Sequence, residues 1–258
     1  MSTFNGQWNA IDTFGSKFLN SCLQIISDDT AFNKFKQNED FKTVIANDSL
    51  SKIISDQLYQ NIISDKEIMD KIDEYKTNDL IGMPNLYQYP GLGYISPGTM
   101  YFIHILKDLK QYFGNIHNFN IIEIGSGYGG QAKIILDYGV QTYSMVDILP
   151  TLNVCKKYLS KFDHTNISFH TPDILSKKCY DLVISNWCLS EFDKNGIDFY
   201  IENIIKYCEN GYFMMNVWDV SMKQYILDSL SKYFKTVEEF PEFPKTHSNP
   251  NWLLVIKK

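Results

Sequence analysis

Glu123 stands two residues ahead of Gly125 in Asn120-Ile-Ile-Glu-Ile-Gly-Ser-Gly-Tyr-Gly-Gly130, a short apolar run that breaks into glycines. Gly125, Gly127 and Gly130 have the G-x-G-x-x-G spacing, which lets backbone approach a ligand closely before a helix begins, here predicted over Gln131–Tyr138. The glycines alone would equally suit a NAD-binding oxidoreductase. The acid sharpens the reading, because a carboxylate ending an apolar strand is costly unless a partner offsets its charge. A dinucleotide would bring pyrophosphate to this loop and gain nothing from an acid. S-adenosylmethionine brings an ammonium group and no phosphate. The residues therefore point to S-adenosylmethionine, with S-adenosylhomocysteine as product, and to Glu123, Gly125, Ser126, Gly127, Tyr128 and Gln131 as the loop that holds it.

Asp147 lies 22 positions after Gly125 at the end of the next predicted strand. A carboxylate there, with Ile148 beside it, can accept both ribose hydroxyls of an adenosine; capping the helix that starts near Leu149-Pro150 is the other role open to it. Ser185-Asn-Trp-Cys-Leu-Ser-Glu-Phe192 ends the fourth predicted strand. Ligands of open α/β sheets bind beyond the carboxyl ends of strands, so Asn186 and Trp187 are placed against the cofactor and Glu191 near the reacting methyl. Methyl transfer to a hydroxyl is an in-line displacement at a sulfonium centre, and it needs an aligned oxygen and a base for the proton. Glu191 is the first candidate base, with a helix-start carboxylate as its alternative role. His247, in Pro244-Lys-Thr-His-Ser-Asn-Pro-Asn-Trp252, is the second, because neutral imidazole suits proton abstraction near pH 7. His104 and His170 read as packed or locally hydrogen-bonded, His117 and His164 as surface loop residues. Asp193, Asn195 and Asp198 supply too few oxygens for a hard cation and read as a turn and helix cap, so no metal is expected.

These residues need a scaffold that brings strand ends together. Alternating patterns predict strands at Asn120–Ile124, Thr142–Val146, Ile167–His170, Asp181–Ser185, Tyr212–Val217, Thr236–Phe240 and Trp252–Ile256. Helical patterns fall at Thr99–Phe113, Gln131–Tyr138, Leu152–Phe162, Gly196–Cys208 and Ser221–Phe234. The expected fold is α/β and Rossmann-like, a mostly parallel seven-stranded sheet with helices on both faces and a hairpin at its end. Residues 1–78 read as a helical N-terminal cap and 79–258 as the α/β domain. The Gly- and Pro-rich segment 81–98, with Tyr87, Tyr89 and Tyr94, reads as a loop that walls a pocket.

Composition narrows the classes. The chain has 258 residues, 44% of them hydrophobic, enough for a sizeable core without staples. Five scattered cysteines without a C-x-x-C pair suggest neither disulfides nor zinc and fit a reducing compartment. No basic leader or membrane-length apolar run is present, so the expectation is a soluble, cytoplasmic protein without a membrane partner. Net charge −6 and pI near 5.4 make a poor footprint for nucleic acid. Ser185-Asn-Trp-Cys188 also lacks the N/D-P-P-Y/F motif used on base amino groups. Self-association into a homo-oligomer stays open.

From about Asp79 onward the chain resembles the sugar O-methyltransferases of class I fold. The resemblance rests on Gly82-Met-Pro84, Ser96-Pro97, Glu123 through Gln131 and Leu189-Ser-Glu191. One departure is Met100-Tyr101, where a basic residue before an aromatic is expected. The resemblance implies methylation of a hydroxyl on a deoxysugar or glycan unit, and it places Asp173 beside the adenine amino group and Ile174 against the ring. Tyrosines of the 81–98 loop could stack on a sugar face; Tyr89, Tyr94, Ser96 and Trp218 are the acceptor-side candidates. A non-catalytic S-adenosylmethionine-binding module and a methyltransferase of other small molecules are the alternatives.

Overall fold

The computed structural model describes residues 9–45, 49–175, 177–216, 220–246 and 251–258. Six helices come first: α1 (Asn9–Ser27), α2 (Asp29–Asn33), α3 (Glu39–Lys42), α4 (Lys52–Ile62), α5 (Lys66–Asp70) and α6 (Ile72–Lys76). Most begin on a polar cap; Asp28, Asn38, Ser51 and Asp65 each accept a backbone N–H of the following turn. A two-stranded hairpin, β1 (Tyr87–Tyr89) and β2 (Gly93–Ile95), precedes the long helix α7 (Pro97–Phe113).

The main sheet then alternates with helices: β3 (Asn120–Ile124), α8 (Gly130–Tyr138), β4 (Thr142–Val146), α9 (Leu149–Leu159), β5 (Ile167–His170), β6 (Tyr180–Asn186), α10 (Lys194–Asn203), β7 (Cys208–Met215), α11 (Val220–Leu230), β8 (Thr236–Pro241) and β9 (Trp252–Lys257). Its order is β5-β4-β3-β6-β7-β9-β8. The first five strands are parallel, and β9 runs antiparallel to both β7 and β8. Successive strands step one way from β3 and the other way from β6, so the loops leaving these neighbours diverge and open a crevice at their carboxyl ends. The seven-stranded α/β expectation holds, with a hairpin at the end of the sheet.

Two local differences stand out. A helix was expected through Cys208 and a strand from Tyr212, yet β7 already starts at Cys208. Glu209-Asn-Gly211 looks like a turn, but Asn210 donates to the Asp181 carbonyl at 3.0 Å. At Gly211 an added Cβ would meet the Phe213 ring at 2.5 Å and Ile256 at 2.7 Å, so this glycine serves close packing inside the sheet. The predicted loop 81–98 contains the β1/β2 hairpin and the first residues of α7, where Ser96 accepts from Thr99 N–H and Pro97 takes the first turn.

The N-terminal helices pack on the α7–α8–α9 face of the sheet. Their aromatics interlock with the main body: Phe35 meets Tyr128 with ring centroids 5.1 Å apart, and Tyr128 meets Tyr158 at 5.1 Å. Buried Lys36 lies 5.0 Å from the Tyr128 ring centre and donates to the Asn78 carbonyl at 2.7 Å. Gly82 has φ +88° and presses on this segment; its carbonyl accepts from Lys36 N–H, and a Cβ there would strike the Lys36 stem at 2.7 Å.

Lys133 on α8 is 1% exposed, pairs with Asp137 and donates to the Glu74 carbonyl and Thr77 hydroxyl of the N-terminal layer. His164, a loop residue as expected but only 15% exposed at its side chain, completes this cluster with its Nε2 3.1 Å from Asp137. We expect Lys133→Ala to cost about 3–5 kcal/mol of stability, because it leaves a buried carboxylate short of its main cation. Urea unfolding measures this; a loss below about 1 kcal/mol would show that His164 alone holds Asp137.

Candidate functional site

A cavity of about 210 Å³ occupies the crevice between β3 and β6. Its floor is the turn after β3. Gly125 has φ +81°, its N–H donates to the Val146 carbonyl at 2.8 Å, and a Cβ there would sit 2.4 Å from that of Cys188. Gly127 has φ +54° and faces Ile45 of the N-terminal layer, 3.2 Å from where its Cβ would be. Only glycine fits the first position without moving Cys188, since both conformation and space exclude a side chain.

Glu123 is 3% exposed. Gln131 donates to its Oε1 at 2.7 Å and Tyr143 to its Oε2 at 2.9 Å, while Asn186 donates to Gln131 Oε1 at 2.5 Å. The carboxylate thus has neutral donors and, among the described residues, no cation paired with it. Burial, opposed by the Tyr143 hydrogen bond and reinforced by the Asp147 charge, raises its pKa from 4.5 to about 8. Asp147 ends β4, the next strand. Its oxygens accept the N–H groups of Gly127 at 3.1 Å and Ile148 at 2.7 Å, and burial still outweighs these bonds and pushes its pKa to about 7. The residue keeps some exposure because its carboxyl group opens onto the cavity.

Glu191 lies in a 3-10 turn, Leu189–Glu191, on the cavity wall after β6. Trp187 also lines it, with φ +57°, a backbone state that costs a bulky residue of order 1–3 kcal/mol and clusters at functional sites. Its N–H donates to Met214 at 2.7 Å and its ring stacks on Tyr101, centroids 5.1 Å apart. Among the described lining residues are three carboxylates, Glu123, Asp147 and Glu191, and no Lys, Arg or His. Such a cavity repels phosphate and suits a cation with hydroxyl or amino donors.

Of the residues singled out from the sequence, Glu123, Gly125, Ser126, Gly127, Tyr128, Gln131, Asp147, Ile148, Asn186, Trp187 and Glu191 all line this cavity. Asp173 and Ile174 follow β5 in an exposed 3-10 turn, and it is their neighbour Pro172 that lines the wall. The structure does not bring Tyr89, Tyr94 or Ser96 to the cavity. Tyr89 is buried under Tyr59 with its hydroxyl on Asp56 at 2.8 Å, Ser96 caps α7 and donates to Asp79, and Tyr94 is 61% exposed. His247 and Trp218 lie outside the described residues. Asp193 caps α10 by accepting from Gly196 N–H at 2.8 Å. Unanticipated lining comes from Phe18, Val44 and Ile45, which roof the cavity, and from Phe102, Thr151, Phe192 and Tyr200. The roof has no local signature; Tyr143 could have been found from register, because Met145, two residues on, pairs with Glu123.

No protein-family model matches the chain. The chain is 30% identical, over a 127-residue alignment that takes in 44% of it, to the non-reducing polyketide synthase mapC of Penicillium roqueforti, of which it covers 5%. The mapC of Penicillium brevicompactum matches at 30% over a 106-residue alignment that takes in 36% of the chain and 4% of the synthase. Among solved structures, magnesium protoporphyrin IX methyltransferase ChlM of Synechocystis PCC 6803, with bound S-adenosylmethionine, superposes with TM-score 0.51 at 12% identity, over 61% of this chain and 78% of that one. PH1948 of Pyrococcus horikoshii, described as an RNA methyltransferase, gives 0.50 at 14%, over 73% and 96%. The architecture is therefore the Rossmann-like fold of class I methyltransferases.

The two raised carboxyl groups tie stability to pH. A carboxyl whose folded pKa exceeds its unfolded value stabilises most below the unfolded value, near 4, and that contribution disappears as pH rises through 7 to 8. The melting temperature of ligand-free protein should fall between pH 5.5 and 9, and Glu123→Gln should flatten that decline. An identical slope in the variant would mean that Glu123 stays ionised.

Proposed function

We propose that the protein is an S-adenosylmethionine-dependent O-methyltransferase acting on a sugar hydroxyl, of a deoxysugar or glycan unit. The supporting observation is the cavity at the β3/β6 switch, with no Lys, Arg or His among its described lining residues and with Asp147 on its wall, held by the N–H groups of Gly127 and Ile148. In this reading the glycine turn packs against the cofactor, Asp147 accepts the ribose hydroxyls, and Glu123 with Gln131 faces the positively charged methionine portion. When bound, the cofactor supplies an electrophilic methyl. Glu191 stands on the wall after β6 and takes the acceptor proton as the new C–O bond forms. The match to a fungal polyketide synthase favours a second reading, in which the acceptor is a hydroxyl of a polyketide.

Calorimetry should give micromolar binding of S-adenosylmethionine or S-adenosylhomocysteine and none of NAD; the opposite pattern would overturn the assignment. A bound cation favours ionised Glu123, so binding should release protons and tighten as pH rises from 6 to 8.5. Asp147→Ala should weaken cofactor binding by about 1–3 kcal/mol. Glu191→Gln should lower turnover by about 10²–10⁴-fold with cofactor affinity kept. Wild-type turnover in that variant removes Glu191 from the base role. Product mass spectrometry across sugar and phenolic acceptors separates the two acceptor readings.

A further inference from the structure

Beyond the wall formed by Trp187, the carboxyl edge of the sheet carries a second set of polar residues, and strand register sets it out. Met215 on β7 pairs with Trp252 on β9, and Trp252 with Pro241 on β8. Glu242 N–H donates to the Asn251 carbonyl at 3.3 Å, extending the ladder by one residue. Asn216, Asn251 and Glu242 thus form a row across three strand ends, about 4.8 Å from one strand to the next. Tyr212, Met214, Leu253 and Val255 belong to the core under α7, and Phe213, Met215, Trp252 and Leu254 to the opposite core. By this alternation the row points to the α7 side.

Tyr101 of α7 overlooks the same region. Its ring is fully buried against Trp187, yet neither its hydroxyl nor Asn216 Oδ1 has a hydrogen-bond partner among the described residues, although both atoms are buried. Buried polar atoms are rarely left so, and those that are call for an explanation. Burial, then the charges of Glu242 and Asp108, hold the Tyr101 phenol well above its ordinary pKa, so it stays an O–H donor.

The surroundings are built to stay put. Glu242 is 7% exposed, and its carboxylate accepts Thr246 N–H at 2.9 Å and the Thr246 hydroxyl at 2.6 Å. His104 Nε2–H, one turn along α7 from Tyr101, donates to the Phe243 carbonyl at 2.6 Å. Asn216 N–H donates to Ser190 Oγ at 3.1 Å, next to Glu191. The row therefore begins beside the turn that carries the candidate base.

We propose that Tyr101, Asn216 and Glu242 bind the acceptor and hold a saccharide unit through neighbouring hydroxyls, beside Trp187. This rests on the methyl-transfer reading above. A ligand with one hydroxyl would satisfy the phenol or the amide oxygen and leave the other stranded, while Glu242 keeps lone pairs beyond those that Thr246 uses. A sugar ring presents several hydroxyls, each donor and acceptor at once, and meets the phenol, the amide oxygen and the carboxylate together.

The test uses the intact chain loaded with S-adenosylhomocysteine and a panel of methyl hexosides and methyl deoxyhexosides, read by saturation-transfer NMR. The wild type should bind at least one glycoside. Tyr101→Phe and Asn216→Ala should each weaken it about tenfold or more, and should raise the acceptor KM similarly in turnover with S-adenosylmethionine. Melting temperature and S-adenosylhomocysteine affinity should not change, because the Tyr101 hydroxyl and Asn216 Oδ1 make no hydrogen bond among the described residues. Glu242→Gln, which keeps one acceptor oxygen, should weaken binding less. Glycosides that are methylated with unaltered KM in all three variants overturn the placement and leave the sugar reading intact. A wild type that neither binds nor methylates any glycoside overturns both.

Discussion

Two acids at the ends of adjacent parallel strands, Glu123 buried and Asp147 half-buried, govern this molecule, and no Lys, Arg or His is among the described residues that line their cavity. Glu123 and Asp147 are both held protonation-prone by burial, and each is given neutral or backbone donors instead of a counter-ion. Held ionised, such an arrangement is costly in an empty fold, and protonation or a cationic partner relieves that cost. Many features of the crevice follow from it. Gln131 must come from the first turn of α8, which demands the glycines before it. Tyr143 must sit one pleat away on β4, which demands the parallel register observed. Trp187 is held in a strained backbone state where the wall after β6 closes the same space.

How much of this was legible depended on whether the cause was local. The strands β3, β4 and β5 end where periodicity put them, because apolar runs bounded by glycines and acids are local signals. The cavity floor was readable too, since glycine spacing and a misplaced charge both lie within eleven residues. The start of β7 was not. Glu209-Asn-Gly211 has turn chemistry, and only the distant Asp181 carbonyl and the Phe213 and Ile256 side chains explain why it is a strand. Tyr89 and Ser96 look like ligand groups in a Gly/Pro-rich segment, but Asp56 and Asp79, both from elsewhere in the chain, accept their hydroxyls, and the Tyr59 ring stacks on Tyr89. His164 likewise found its carboxylate on another element. Long-range partners override local polarity wherever burial makes an unmet hydroxyl or imidazole costly.

Helix α7 links the parts that act at a distance. One face receives the N-terminal layer through α4, where Lys107 donates to the Asn61 carbonyl at 2.6 Å. Another carries Tyr101, His104 and Asp108 toward β7 and the β8–β9 connection; Tyr212 donates to Asp108 at 2.9 Å. Its amphipathic pattern therefore encodes more than core packing: it aligns the wall of the cavity, the end of the sheet and the outer helices against one rigid rod.

The roof over the cavity has a further consequence for how the chain is made. Phe18, Cys22, Ile25, Phe32, Phe35 and Phe41 are all buried, and several of the surfaces that bury them belong to α9 and Tyr128. Lys157, which ties α1 through the Ile25 and Ile26 carbonyls, comes more than a hundred residues later. During synthesis from the N-terminus, this first aromatic cluster emerges long before its docking face exists. At about 5–20 residues per second, it waits on the order of 10 s as exposed apolar helix. The aromatic helices that carry Phe18 to the site in the finished protein thus spend that interval as unpaired apolar surface.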